Sequence, residues 1–162
     1  MCLLSGESMN YWLLKSEPDA FSLDDLQSCP NQTEHWDGVR NYQVRNMLRD
    51  DIKKGDQAFF YHSSCKVPAI VGVVDIVSNG YPDHTALDAN SKYFDAKSTA
   101  ESPRWFMVDV AFHRAFKRSI SLSELKQQPF LLDSDFALTR KGSRLSIMPV
   151  SAEQWRYILS LE

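Results

Sequence analysis

Five apolar runs of strand length, set at uneven intervals among short helix signals, dictate the class of fold this chain can adopt. Tyr11 to Lys15 is aromatic and aliphatic and stops at Ser16-Glu17-Pro18-Asp19, where Pro18 holds Glu17 extended. Gln57 to His62 and the β-branched Ala69 to Val77 follow a Lys53-Lys54-Gly55-Asp56 turn and are expected to pair as neighbours, with a bulge or close approach at Gly72. Arg104 to Phe112 supplies another strand, and Arg144 to Val150 a last strand or loop. Between them, Ser22, Ser121 and Ser151 open N-cap patterns, and Asn41 to Asp51 sets Val44, Met47 and Leu48 at helical spacing. So irregular an alternation does not fit a doubly wound parallel sheet. It predicts an α+β fold: a small, mixed but mostly antiparallel β-barrel with short peripheral helices packed on its ends.

At 162 residues the chain buries enough surface for one ordinary core. Residues 9–162 are expected to form a single domain, with residues 1–8, ahead of the second methionine Met9, as an extension outside it. No apolar run approaches the roughly 18 residues needed to span a bilayer, and the N-terminus lacks the basic and apolar regions of a secretion signal. Three scattered cysteines without a CxxC pair argue against a disulfide framework. These features point to the cytoplasm, or to the nucleus in a eukaryote. The four histidines show no zinc-ligand spacing, and the glycine-rich phosphate loops are absent, so neither a metal nor a nucleotide cofactor is expected. A net charge of −3 speaks against a salt-driven grip on duplex nucleic acid, although residues 104–144 carry eight basic and four acidic side chains.

Polar and aromatic residues bunch where loops meet strands: Lys15-Ser16-Glu17-Pro18, Trp36 to Gln43, Tyr61-His62-Ser63, Tyr81-Pro82-Asp83, Pro103-Arg104-Trp105 and Gly142 to Ser146. An aromatic face to stack on, with amides, hydroxyls and a cation to read an edge, suits one flat heterocycle such as a flipped-out or single-stranded base. Each residue also has a plainer reading. Trp36 plugs a barrel end or walls a pocket; Trp12 is core or pocket wall; Lys15 snorkels to solvent or turns to a ligand. Asn41 and Gln43 present donor and acceptor side by side, as base readers do, but Asn41 also stands where a helix cap is needed. His62 is a satisfied, partly buried histidine or a ligand contact. Arg45, Arg104 and Arg144 pair with carboxylates or form a phosphate rim.

The stretches Tyr11 to Pro18 and Trp36 to Asn46, followed by Phe60-Tyr61-His62-Ser63 and Pro103-Arg104-Trp105, resemble in order and content the EVE domain family over residues 9–162. That resemblance implies a PUA-like barrel, related in shape to YTH and ASCH domains. It further implies binding of a modified base, such as a methylated cytosine, in DNA or RNA through a central cleft. Carried over, the cleft is expected at Lys15, Ser16, Trp36, Val39, Arg40, Asn41, Tyr42 and Gln43, with His62 and Ser63 nearby. Family members often have Ala where this chain has Val44, a helical position expected to pack inward. The resemblance to ASCH domains also suggests an alternative, a small hydrolase of modified bases with Lys15, Glu17 or His62 moving protons. A protein adaptor acting through its surface is a third reading, and it leaves the polar and aromatic cluster unexplained.

Overall fold

The computed structural model describes residues 9–142 and 144–162; the expected extension over residues 1–8 and the cluster member Ser143 lie outside the described residues. The elements in chain order are β1 (Tyr11–Ser16), α1 (Leu23–Ser28), β2 (Thr33–Trp36), α2 (Tyr42–Asn46, continued by a wider turn over Met47–Asp51), β3 (Gln57–His62) and β4 (Ala69–Ile76). There follow β5 (Tyr81–Pro82), β6 (Phe106–Ser121), α3 (Leu122–Leu125), α4 (Pro129–Asp133), β7 (Ile147–Val150) and α5 (Ala152–Leu161). The caps read from sequence are in place. Ser22 and Ser151 each accept from the third helical N–H while Asp25 and Gln154 reach back to the cap, and Ser121 accepts from Glu124.

Six strands run in the order β2-β6-β4-β3-β1-β7, with β5 joined to β6. Every pairing is antiparallel except β1 with β3. Alternation along the strands makes two cores. Trp12, Leu14, Ala58, Phe60, Val74, Ile76, Val108 and Val110 face one way and gather with Trp36, Ile147 and the apolar sides of α1 and α2. Leu13, Phe59, Tyr61, Ile70, Val73, Phe116 and Ile120 face the other way and are covered by Leu125, Leu131, Trp155 and Ile158 of the C-terminal helices. There Trp155 stacks on Phe59 with centroids 3.9 Å apart and on Tyr11 at 4.4 Å. Coverage of both faces explains why β1 and β3 read as nearly continuous apolar runs.

Three expectations change. The sheet curls, but among the described residues no hydrogen-bonded pairing joins its edges β2 and β7, so it is an open coil of strands and not a closed barrel. The helices are not confined to its ends, since α3 to α5 cover the outer face. β6 continues well past Phe112, and its register against β4 slips on either side of Gly72 and Val73, which bends so long a strand. Gly72 permits the bend: a Cβ there would sit 2.6 Å from the Arg114 carbonyl and 2.6 Å from Leu23 Cδ2. No helix among the described residues is long and apolar enough to cross a membrane.

Candidate functional site

A cleft of about 660 Å³ opens where the two sheet edges curl toward each other. β2 contributes Glu34, His35 and Trp36, and the chain entering β7 contributes Arg144, Leu145 and Ser146. The adjacent C-terminal ends of parallel β1 and β3 bring Lys15, Ser16 and Ser63. These ends are pinned: Lys15 N donates to Ser146 O at 2.8 Å, Ser63 N to Ser16 O at 2.9 Å, and Ser16 Oγ to Phe21 O at 2.5 Å. Trp36 is both plug and wall. It is 8 % exposed and meets Phe60 edge-on at 5.7 Å, yet it borders the cleft, and its Nε1–H has no acceptor among the described residues.

The loop after β2 is held from beneath by Asp83, which is buried and accepts from Gly38 N at 2.8 Å, Arg40 Nη1 at 3.2 Å and Thr85 N at 2.8 Å. Burial pushes the Asp83 carboxyl up, but the hydrogen bonds from Thr85, Gly38 and Arg40 together outweigh it and hold it below the usual carboxylate range. Arg40 lines the cleft but spends its donors on structure: Nε and Nη2 both reach Tyr93 O, at 3.2 and 2.5 Å, and Nη1 also reaches Val39 O at 2.8 Å. It therefore fastens the Tyr93 loop to the Asp37–Asn41 loop. Asn41 fulfils its capping reading, accepting from Val44 N at 3.0 Å, while its amide nitrogen has no partner among the described residues. Burial lowers the Lys15 ammonium pKa and, with repulsion from Asp83 second, raises that of Asp37.

The structure thus brings Lys15, Ser16, Trp36, Val39, Arg40, Asn41, Ser63 and Arg144 together around one hollow. Trp12, Tyr42, Gln43, His62, Arg45 and Arg104 are not among its walls. Trp12 stands four residues before Ser16, about 13 Å along the strand, and faces the interior with Nε1 donating to the buried Asp56 at 3.0 Å. His62 turns to α1, where Nε2 accepts the Leu23 N–H at 3.2 Å and the ring lies edge-on to Phe60. For the hydrolase reading, no side-chain hydrogen bond among the described residues joins Lys15 to Glu17, and the ring of His62, its other proton carrier, is bonded to the Leu23 N–H. Tyr42 and Gln43 project from the first turn of α2, both exposed. Tyr42, Arg45 and Arg104 instead meet around Trp105, on the neighbouring surface.

The EVE domain pattern matches residues 10–161. The chain belongs to the EVE domain family. It is 48 % identical over 166 residues to thymocyte nuclear protein 1 of Gallus gallus, an alignment covering 94 % of this chain and 68 % of that protein. A crystal structure from Pseudomonas putida is 50 % identical, covers 93 % of this chain and 98 % of its own, and superposes with a TM-score of 0.87. The human THYN1 protein in complex with 5-methylcytosine containing DNA is 43 % identical, covering 94 % of this chain and 96 % of its own, with a TM-score of 0.86. The YTH domain of Zygosaccharomyces rouxii MRB1 is 15 % identical with a TM-score of 0.52, a likeness of fold alone.

This EVE domain also has cleft residues that sequence reasoning passed over, chiefly His35, Lys92 and Tyr93. Tyr93 sits in a polar stretch without periodicity; its one trace in the sequence is Gly38, against which its ring packs. His35 shares Asp109 with Tyr81: its Nδ1 lies 3.1 Å from Asp109 Oδ1, to which Tyr81 Oη donates at 2.5 Å. The Asp109 hydrogen bond raises the His35 pKa, whereas burial lowers that of His62. In a proton-resolved NMR titration of the EVE domain, His35 is expected to titrate above the ordinary value of about 6.5 and His62 below it. The His35 contribution to stability is present below about pH 6.5 and lost as pH rises through its folded pKa; that of His62 is present above about pH 6.5 and lost on acidification. Identical midpoints for the two rings would contradict the Asp109 hydrogen bond to His35 and the burial of His62.

Proposed function

We propose that this EVE domain binds one modified nucleobase of a DNA strand, such as a methylated cytosine, in the cleft beside Trp36. The observation that carries the reading is a largely buried indole, 8 % exposed and with no acceptor for its N–H among the described residues, bordering a hollow of about 660 Å³ whose walls also include Lys15, Ser16 and Asn41. That volume lies within the range of about 300 to 1,000 Å³ usual for small-ligand sites. Val39, Phe21 and Leu145 give it an apolar flank for a methyl group, and Asn41 Nδ2 and Lys15 Nζ are donors for a ring edge. The complex of its human relative with 5-methylcytosine containing DNA supports the same ligand class. The role is recognition without turnover, needing neither metal nor cofactor, in the cytoplasm or nucleus, with DNA preferred to RNA.

Titration of tryptophan fluorescence with 5-methyl-2′-deoxycytidine, 2′-deoxycytidine and short single strands carrying either base tests the proposal. The methylated ligands are expected to bind about tenfold tighter, the usual worth of one methyl in a fitted apolar slot. Trp36→Phe, which keeps the packing on Phe60 and deletes the N–H, is expected to weaken binding about fivefold. Failure of all ligands to bind at millimolar concentration, or indifference to Trp36→Phe and Lys15→Gln alike, overturns the reading. An RNA strand binding tighter than its DNA counterpart overturns the choice of carrier.

A further inference from the structure

Outside the cleft, Trp105 is buried, its Nε1 donating to Asp95 Oδ2 at 2.7 Å, and it serves as a fixed base for Tyr42. The Tyr42 ring stacks on it with centroids 4.8 Å apart and planes 28° from parallel, yet remains 51 % exposed. Two cations contact this ring, one lying over its face and one at its hydroxyl. The Arg45 guanidinium carbon lies 4.9 Å from its centroid, with Nη1 donating to Arg104 O at 2.7 Å, and Arg104 Nη1 donates to Tyr42 Oη at 3.3 Å. Among the described residues neither Arg45 nor Arg104 has a carboxylate partner, whereas Arg49, Arg114, Arg118 and Arg140 each do. Arg40 joins this surface to the cleft: it lines the hollow, and its guanidinium carbon lies 5.3 Å from the Trp105 ring.

We propose that Tyr42 is a stacking platform for the nucleotide adjoining the one held in the cleft, with Arg45 and Arg104 receiving the intervening phosphate. This rests on the cleft reading and adds a second, sequence-tolerant contact to it. An exposed aromatic ring held flat by a buried one loses little freedom when a base covers it, and every base offers a face to stack. Guanidiniums without carboxylate partners beside that ring are complementary to a phosphodiester. The platform binds strand but not free nucleoside, which separates it from the cleft.

The test measures binding of 5-methyl-2′-deoxycytidine and of a five-nucleotide strand with that base at its centre, for the intact protein and for Tyr42→Ala, Tyr42→Phe and Arg104→Gln. Tyr42→Ala is expected to weaken strand binding about tenfold and leave nucleoside binding unchanged. Tyr42→Phe, which keeps the ring, is expected to stay within about twofold for both ligands. Arg104→Gln is expected to reduce the salt dependence of strand binding by about 0.7 in log–log slope, one single-strand phosphate contact. Equal loss for nucleoside and strand in Tyr42→Ala, or no loss for either, overturns the platform. Nucleoside binding intact with strand binding indifferent to Tyr42 refutes the platform alone. Strand binding that depends on Tyr42 while the nucleoside never binds refutes the cleft reading and, with it, the place of the platform beside an occupied cleft.

Discussion

Asp83→Ala is expected to lower the stability of the domain by about 3 kcal/mol in urea denaturation and to abolish base binding, because one buried carboxylate organises an entire wall of the cleft. Its removal leaves the Gly38 N–H without its acceptor and the Arg40 guanidinium without its counter-charge. Loss of one partner of a fully buried ion pair costs about 3 to 5 kcal/mol; the lower end applies because the Arg40 side chain is one-quarter exposed and water recovers part of the loss. The carboxyl is held below the ordinary range, so its contribution is present above about pH 4 and is lost as pH falls through its folded pKa. Asp83→Asn should therefore flatten that part of the acid limb of the stability profile. An Asp83→Ala protein that keeps both its urea midpoint and its ligand would show that the loop stands without this support.

Gly38→Ala acts on the same wall by a different route. The backbone at Gly38 has φ +77°, a conformation that costs an L-residue about 1 to 2 kcal/mol. The added Cβ would also lie 2.5 Å from Tyr93 Cζ, so the ring must swing away from the cleft it lines. Moving Tyr93 disturbs the carbonyl that holds Arg40, so strain at one residue spreads to both loops. A loss of about 2 kcal/mol is expected, lowering the melting temperature by roughly 4 to 8 °C, with at least tenfold weaker base binding. Calorimetry with a parallel fluorescence titration reads both effects. Unchanged affinity at reduced melting temperature would separate the Tyr93 ring from recognition.

Much of the fold was legible where alternation or capping carried the signal. β1, β3, β4 and α5 lie where their patterns place them, since strands buried on both faces and helices opened by Ser-x-x-Gln depend on few neighbours. β2 was hidden because Thr33-Glu34-His35-Trp36 buries only its last residue and is extended by pairing with Val108 to Ala111, a partner far along the chain. The far half of β6 was hidden because basic and small residues alternate there with only two buried side chains, Phe116 and Ile120. At the site, the contiguous Trp36 to Asn41 segment was readable because one loop delivers it. Trp12, His62 and Tyr42 are near the cleft in sequence but face elsewhere, because strand length and helix phase decide direction after residue type has been read.

The unpaired seam between β2 and β7 makes occupancy and architecture inseparable. The strands on either side of it are the two most remote in the hydrogen-bond ladder, and among the described residues no backbone bond restrains their separation directly. A planar guest touching Trp36 on one flank and Leu145 on the other would act as a clasp, coupling the ends of the sheet through itself and stabilising the folded domain as its concentration rises above Kd.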